Sequence, residues 1–187
     1  MIFNEHPKFK GLHAQLGGSN YHWIRYDEEK LVKVFSNLMA KERGTRLHAF
    51  AEECIALRQR LPAAKKTLNM YVNDAIGFGM QPEVILFYSP NIFGTADAIS
   101  YMNNVLRIHD LKTGEAIAHM EQLQVYAALF CLEYNKKPTD LERIVLSIYQ
   151  NNEVATIEAD PVDIQYIMDK AIQFDKILGN LREEANV

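Results

Sequence analysis

The sequence has little with which to staple or anchor a fold. Its two cysteines, Cys54 and Cys131, fall in helix-like segments and read as buried free thiols in a reducing cytoplasm. Two cysteines also exclude a four-cysteine zinc or iron–sulfur site built by this chain alone. No apolar run approaches the ~20 residues of a membrane span. The start, MIFNEHPKFKG, lacks the basic opening and apolar stretch of a signal peptide. An excess of positive charge is missing too, since 20 Lys and Arg against 24 Asp and Glu leave a formal charge of −4. That balance argues against a protein that coats nucleic acid through net charge. It leaves room for a metal-dependent enzyme, which needs acidic residues at its centre and can cluster its basic ones. Lys41, Arg43 and Arg46, then Arg58, Arg60, Lys65 and Lys66, are the candidates for such a cluster, although they also read as a solvated helix face.

What remains is the composition of one globular domain. At 187 residues the chain suits a single core, and no internal repeat, low-complexity tract or long linker divides it. The stretch from His6 to Tyr26 has no clear period. Asp27 is placed to cap a helix running to about Lys41, and Thr45 to cap a second from Arg46 to about Leu61, ended by Pro62. Lys65 to Ala75 reads as helical or irregular, and Gly77, Gly79 and Pro82 mark a break. Glu83 to Tyr88 is a short apolar strand. A long helix is expected from about Glu115 to Tyr134. Arg143 to Tyr149 alternates like a strand, Asn151-Asn152 makes a turn, and Val154 to Glu158 pairs back. Pro161 opens a final helix ending near Asn180. Helices, three strands, helix, two strands and helix predict an α/β fold around one mixed β-sheet flanked by helices on both faces. The divisions are an N-terminal helical part of about 1–80, a sheet core of about 81–160 and a C-terminal helix of about 161–184.

The most informative segment is FGTADAISYMNNVLRIHDLKTG, from Phe93 to Gly114. Asparagine supplies the positive φ of a two-residue hairpin loop, so Asn103-Asn104 joins two strands and sets Met102 opposite Val105. Counting outward, Asp97 falls opposite Asp110. Like charges facing each other across a ladder are destabilising, and a divalent cation between them would turn repulsion into a site. Alternation puts Lys112 on the face of Asp110. A surface hairpin with a salt-bridged Asp-x-Lys is the other reading. On flanking helices, His48 and Glu52 share a face at a spacing of four, as surface or capping pairs also do. Gln122 and Tyr126 share one as well, and would either reach the hairpin or be satisfied within the core.

Together, GTRLH, GTAD, HDLK and QLQVY resemble the RecB-like branch of the PD-(D/E)xK nuclease superfamily, in particular its CRISPR-associated and phage exonucleases. The branch's pattern is G-xxx-H, G-x-x-D, (D/E)-x-K and Q-xxx-Y. Gly44 and His48, Gly94 and Asp97, Asp110 and Lys112, and Gln122 and Tyr126 match it in order, over roughly residues 44–126. The resemblance implies a restriction-endonuclease-like core. It implies His48, Asp97, Asp110 and the Leu111 backbone carbonyl as metal ligands, and Lys112 acting on the attacking water. Gln122 and Tyr126 would complete the catalytic set beside a DNA phosphate. Mg²⁺ or Mn²⁺ is the expected ion, because carboxylates suit hard cations and imidazole admits the softer one. Such an ion polarises a phosphate and acidifies water.

The expected activity is hydrolysis of phosphodiester bonds in DNA, most simply by an exonuclease acting on ends or single strands. The alternative is a catalytically inactive nuclease-fold module that binds DNA or protein. The location implied is cytoplasmic, that of a host cell if the chain is phage-encoded. Two features depart from the family. The cluster-bearing relatives use four cysteines, so no iron–sulfur cluster is expected, and Ala96 stands where the superfamily's name has proline. The resemblance does not reach residues 1–40, where Tyr21 and Trp23 would either stack on bases or pack the N-terminal segment onto the core.

Overall fold

The computed structural model describes residues 7–11, 14 and 16–185. Residues 1–6, which carry much of the reading of the chain's start, lie outside the described residues, as do positions 12, 13 and 15 of the stretch up to Tyr26. The chain forms two compact units, residues 1–43 and 44–187. In the first, Trp23 Nε1 donates to the Gly17 carbonyl at 3.2 Å, pinning its own segment, while Tyr21 is exposed against His22.

Helix α1 spans Glu28–Ala56. Asp27 caps it as expected, its carboxylate accepting the Lys30 N–H at 2.8 Å. The predicted break between Lys41 and Thr45 does not occur, and one helix runs through Gly44. The reason is packing: a Cβ on buried Gly44 would stand 2.7 Å from Thr113 Oγ1, so this glycine admits a neighbour and terminates nothing. The helix also stops before the expected Leu61. Arg58 adopts a left-handed φ of 56°, Gln59 N–H reaches back to the Cys54 carbonyl at 2.8 Å, and Arg58 N–H to Ile55 at 3.1 Å. That is a Schellman ending with arginine in the position glycine usually takes. Helix α2, Thr67–Gly77, closes the same way on Gly79.

The sheet has five strands in sequential order: β1 (Gln81–Ser89), β2 (Ile92–Met102), β3 (Val105–Leu111), β4 (Arg143–Gln150) and β5 (Glu153–Glu158). Only β3 and β4 pair in parallel, with α3 (Glu121–Glu133) in the crossover between them. Asn103 and Asn104 take φ of 51° and 59°, and Met102 pairs with Val105 as the loop chemistry required. Asn151 and Asn152 repeat the device at 50° and 61°. Helix α3 begins six residues later than the expected Glu115, because the backbone there is bonded elsewhere: Gln150 Nε2 donates to the carbonyls of Gly114 and Ala116, both at 2.7 Å. Helix α4, Pro161–Ala185, outruns the expected end at Asn180.

Each sheet face has its own core. Ile99, Ile108 and Leu146 pack with Leu123 and Ala127 of α3 and Ile164 of α4. Ala98, Leu111 and Tyr149 pack with Ala51 and Ile55 of α1 and Val72 of α2. One mixed sheet covered by helices on both faces is the α/β architecture of a restriction-endonuclease-like core. Cys54 and Cys131 are free and buried, one on each side. No helix among the described residues is long and apolar enough to cross a membrane.

Candidate metal centre

Register builds the site. β2 pairs with β3 as far as Ala98 with His109, and the next step sets Asp97 against Asp110. On its other side β2 pairs Ala98 with Pro82 and Ala96 with Val84, which leaves Glu83 opposite Asp97. Three carboxylates therefore stand in a row across β1, β2 and β3. Simple alternation is interrupted here, since Ala96 packs in the α3/α4 core and Ala98 in the α1/α2 core. Glu83 itself has φ of 48° inside a strand, a conformation that costs a non-glycine residue and tends to be kept where side-chain placement matters.

Helix α1 supplies the fourth member. His48 Nδ1 lies 3.6 Å from Asp97 Oδ2, so the histidine turns to the sheet and not to Glu52. Ligand atoms of His48, Glu83 and Asp97 all lie within 4.8 Å of one another. Asp97 is held in place by the Leu111 N–H, donated to its Oδ2 at 2.8 Å. Leu111 thus contributes its amide hydrogen here, a bond that does not bear on the carbonyl that the resemblance implied as a ligand.

From the α3 side, Asp110 leads a chain of polar contacts. Its carboxylate is buried, and Lys112 Nζ lies 2.9 Å from both oxygens. The ammonium donates to Oδ1 and is ion-paired with Oδ2 at the same distance. Lys112 Nζ also donates to Gln122 Oε1 at 2.8 Å, and Gln122 Nε2 donates to the Tyr126 hydroxyl at 3.0 Å. Both helix residues are satisfied by this chain and not by backbone in the core.

Burial first, and then the facing Asp110 charge, hold the Asp97 carboxyl above its ordinary range, against the pull of the Leu111 N–H, His48 and Lys112. Burial and Asp97 do the same to Glu83, against His48. Crowded acids that resist ionising, with an imidazole beside them, make a group that could hold a metal ion. His109 looks like a further candidate beside Asp110 but is not one. It packs against Phe78 and Tyr149 on the other face, and burial, aided by Arg107, brings its pKa down to about 4.

The two motif glycines have steric reasons. Gly44 admits Thr113, next to Lys112, and a Cβ at Gly94 would stand 2.8 Å from Tyr126 Cε1. Gly94→Ala should displace the Tyr126 ring and, through Gln122, loosen Lys112. If the chain is the nuclease argued below, cleavage falls about tenfold, or ~1.4 kcal/mol in barrier. A double-mutant cycle checks the route: once Tyr126 is Ala, adding Gly94→Ala should cost almost nothing. Fully additive losses would show that the glycine serves something else.

His48, Asp97, Asp110, Lys112, Gln122 and Tyr126 are thus connected by direct contact or register, and Glu83 is the member that sequence reasoning missed. Neither the curated proteins nor the solved structures contain a match to the chain. Residues 85–176 match the family described as "Protein of unknown function (DUF2800)". That stretch includes Asp97, Asp110, Lys112, Gln122 and Tyr126, while Glu83 falls just before it and His48 well upstream, so what the chain is similar to is a family whose activity is itself unassigned.

Proposed function

We propose that the protein is a Mg²⁺- or Mn²⁺-dependent deoxyribonuclease of the PD-(D/E)xK type, hydrolysing phosphodiester bonds at DNA ends or in single strands. The observation that carries this reading is the buried Asp110 carboxylate, opposite Asp97 in the register, with Lys112 Nζ 2.9 Å from both its oxygens. His48, Glu83, Asp97 and Asp110 are the residues that would hold the ion. A bound ion supplies Lewis acidity toward a phosphate oxygen and lowers the pKa of water.

The remaining work falls to the chain's own groups. The Lys112 ammonium donates to both Asp110 and Gln122, which fixes it in the position from which it orients the attacking water. Gln122 is a positioning residue in this scheme. Tyr126 has a hydroxyl hydrogen to spare, because it accepts from Gln122, and can donate it to a phosphate oxygen without adding charge. A module that only binds DNA or protein would have no use for a row of opposed, buried and half-buried carboxylates, whose mutual repulsion costs stability.

Digestion of end-labelled single- and double-stranded DNA in Mg²⁺, Mn²⁺ or EDTA tests the proposal. Short products released from ends with either metal, and none in EDTA, are expected. Absence of cleavage in every condition, with DNA still bound, would leave the inactive module as the correct reading.

A further inference from the structure

We infer that a second nucleic-acid contact lies at the turn end of the β2–β3 hairpin, where Arg58, Arg107 and Phe78 hold one nucleotide of a strand. A shallow pocket of about 530 Å³ opens there, lined by Arg58, Phe78, Met102, Asn103 and Arg107 among others. That volume is within the range of small-ligand sites. Phe78 is 46% exposed and Met102 56%, and the Arg107 guanidinium sits 4.9 Å from the centre of the Phe78 ring. An exposed aromatic face with arginines at its rim is what sequence-tolerant stacking of a base and pairing of its phosphate require.

The charges are not otherwise spent. Among the described residues the ion pairs are His48–Asp97, Lys112–Asp110, His119–Glu121 and Arg143–Glu158, none of which involves Arg58 or Arg107. Helix dipoles account for an arginine just past the end of α1, but not for Arg107, which comes from β3. Arg58 also occupies a left-handed position where Gly or Asn would cost less, so its side chain has a use that its backbone does not explain.

Two routes give similar distances from the metal centre. Along α1, eight helical residues separate His48 from Ala56, or about 12 Å, and Arg58 lies two residues further on. Five strand residues separate Asp97 from Met102 and Asp110 from Val105, or about 17 Å. At the ~3.4 Å spacing of stacked nucleotides that is about five nucleotides, so a strand held here reaches the acids. Only this destination rests on the proposed nuclease reading.

Fluorescence anisotropy of a labelled fifteen-nucleotide oligo-dT, in EDTA, tests the contact whether or not the protein cleaves DNA. Arg58→Asn with Arg107→Met should weaken binding at least tenfold. It should also flatten the slope of log K against log salt by about 0.7, the loss of one single-strand phosphate contact. Asn suits the left-handed backbone at position 58, so folding is retained, and equal melting temperatures verify it. Phe78→Ala should weaken binding about tenfold with the slope unchanged, and Arg143→Ala, an arginine already paired with Glu158, should alter neither. Pocket variants that bind within twofold of wild type and keep its slope would overturn the inference, as would dTMP binding as tightly as the oligonucleotide.

Discussion

Lys112→Ala is expected to lose at least a hundredfold in DNA cleavage while still binding DNA and Mn²⁺. A positioned group acting on the reacting water contributes about 10²–10⁴-fold, whereas the ion's ligands stay intact. The same substitution should show in stability. Asp110 is buried, and removing its cation leaves an uncompensated charge, which costs about 3 kcal/mol where burial is complete. Lys112 is 29% exposed, so the loss here should be smaller. Saturating Mn²⁺ should recover most of it by supplying the missing positive charge. Single-turnover cleavage and melts of the variant with and without metal are the measurements. Activity within tenfold of wild type would remove Lys112 from the chemistry. An unrecovered melting temperature would mean that the ion does not sit beside Asp110.

The second large effect is a metal-dependent melting temperature whose size depends on pH. Asp97 and Glu83 have native pKa values above the ordinary 3.8 and 4.5. On acidification the native state therefore takes up their protons before the unfolded state does. Without metal, these two groups add stability as pH falls from their raised values toward the ordinary ones, and withdraw it as pH rises. With metal the order reverses, because the ion competes with the same protons. The shift caused by Mn²⁺ should be largest near pH 8 and collapse toward pH 5. At a hundredfold excess over its dissociation constant an ion bound only to the native state is worth about 2.7 kcal/mol. That corresponds to roughly 5–10 °C for a protein of this size. Asp97→Asn should abolish the shift. A shift of equal size at both pH values would place the ion on groups other than these acids.

Parts of this were legible in the sequence because their causes are local. Asn103-Asn104 fixes its hairpin through backbone preference, and with it the opposition of Asp97 and Asp110. Asp27 and Pro161 mark helix starts for equally local reasons. The misreadings have distant causes. Gly44 looks like a helix breaker until Thr113 is seen against it, and the delayed start of α3 follows from Gln150, a residue of β4. Glu83 escaped because counting back from Asp97 into β1 fails without the structure. The β1–β2 pairing shifts register between Phe87 and Ser89, so no simple count across the connection reaches the right partner. The arginine pocket likewise draws on a helix end and a strand that only the fold brings together.

The row of acids has a mechanical consequence for the margin of the sheet. β1 is an edge strand, it contains Pro82, and its Glu83 is in a left-handed conformation next to that proline. Such a margin frays readily, because it lacks a second neighbour and its ladder is already weakened. An ion held jointly by Glu83, Asp97 and His48 would clasp this margin to the middle of the sheet and to α1. Amide hydrogens of β1 near Val84 should then exchange markedly more slowly once metal is added, while those of β4, already enclosed between neighbours, change little. On the proposed reading such a clasp would give the centre a second duty: the cation that readies the phosphate would also close the edge of the surface on which the phosphate is held.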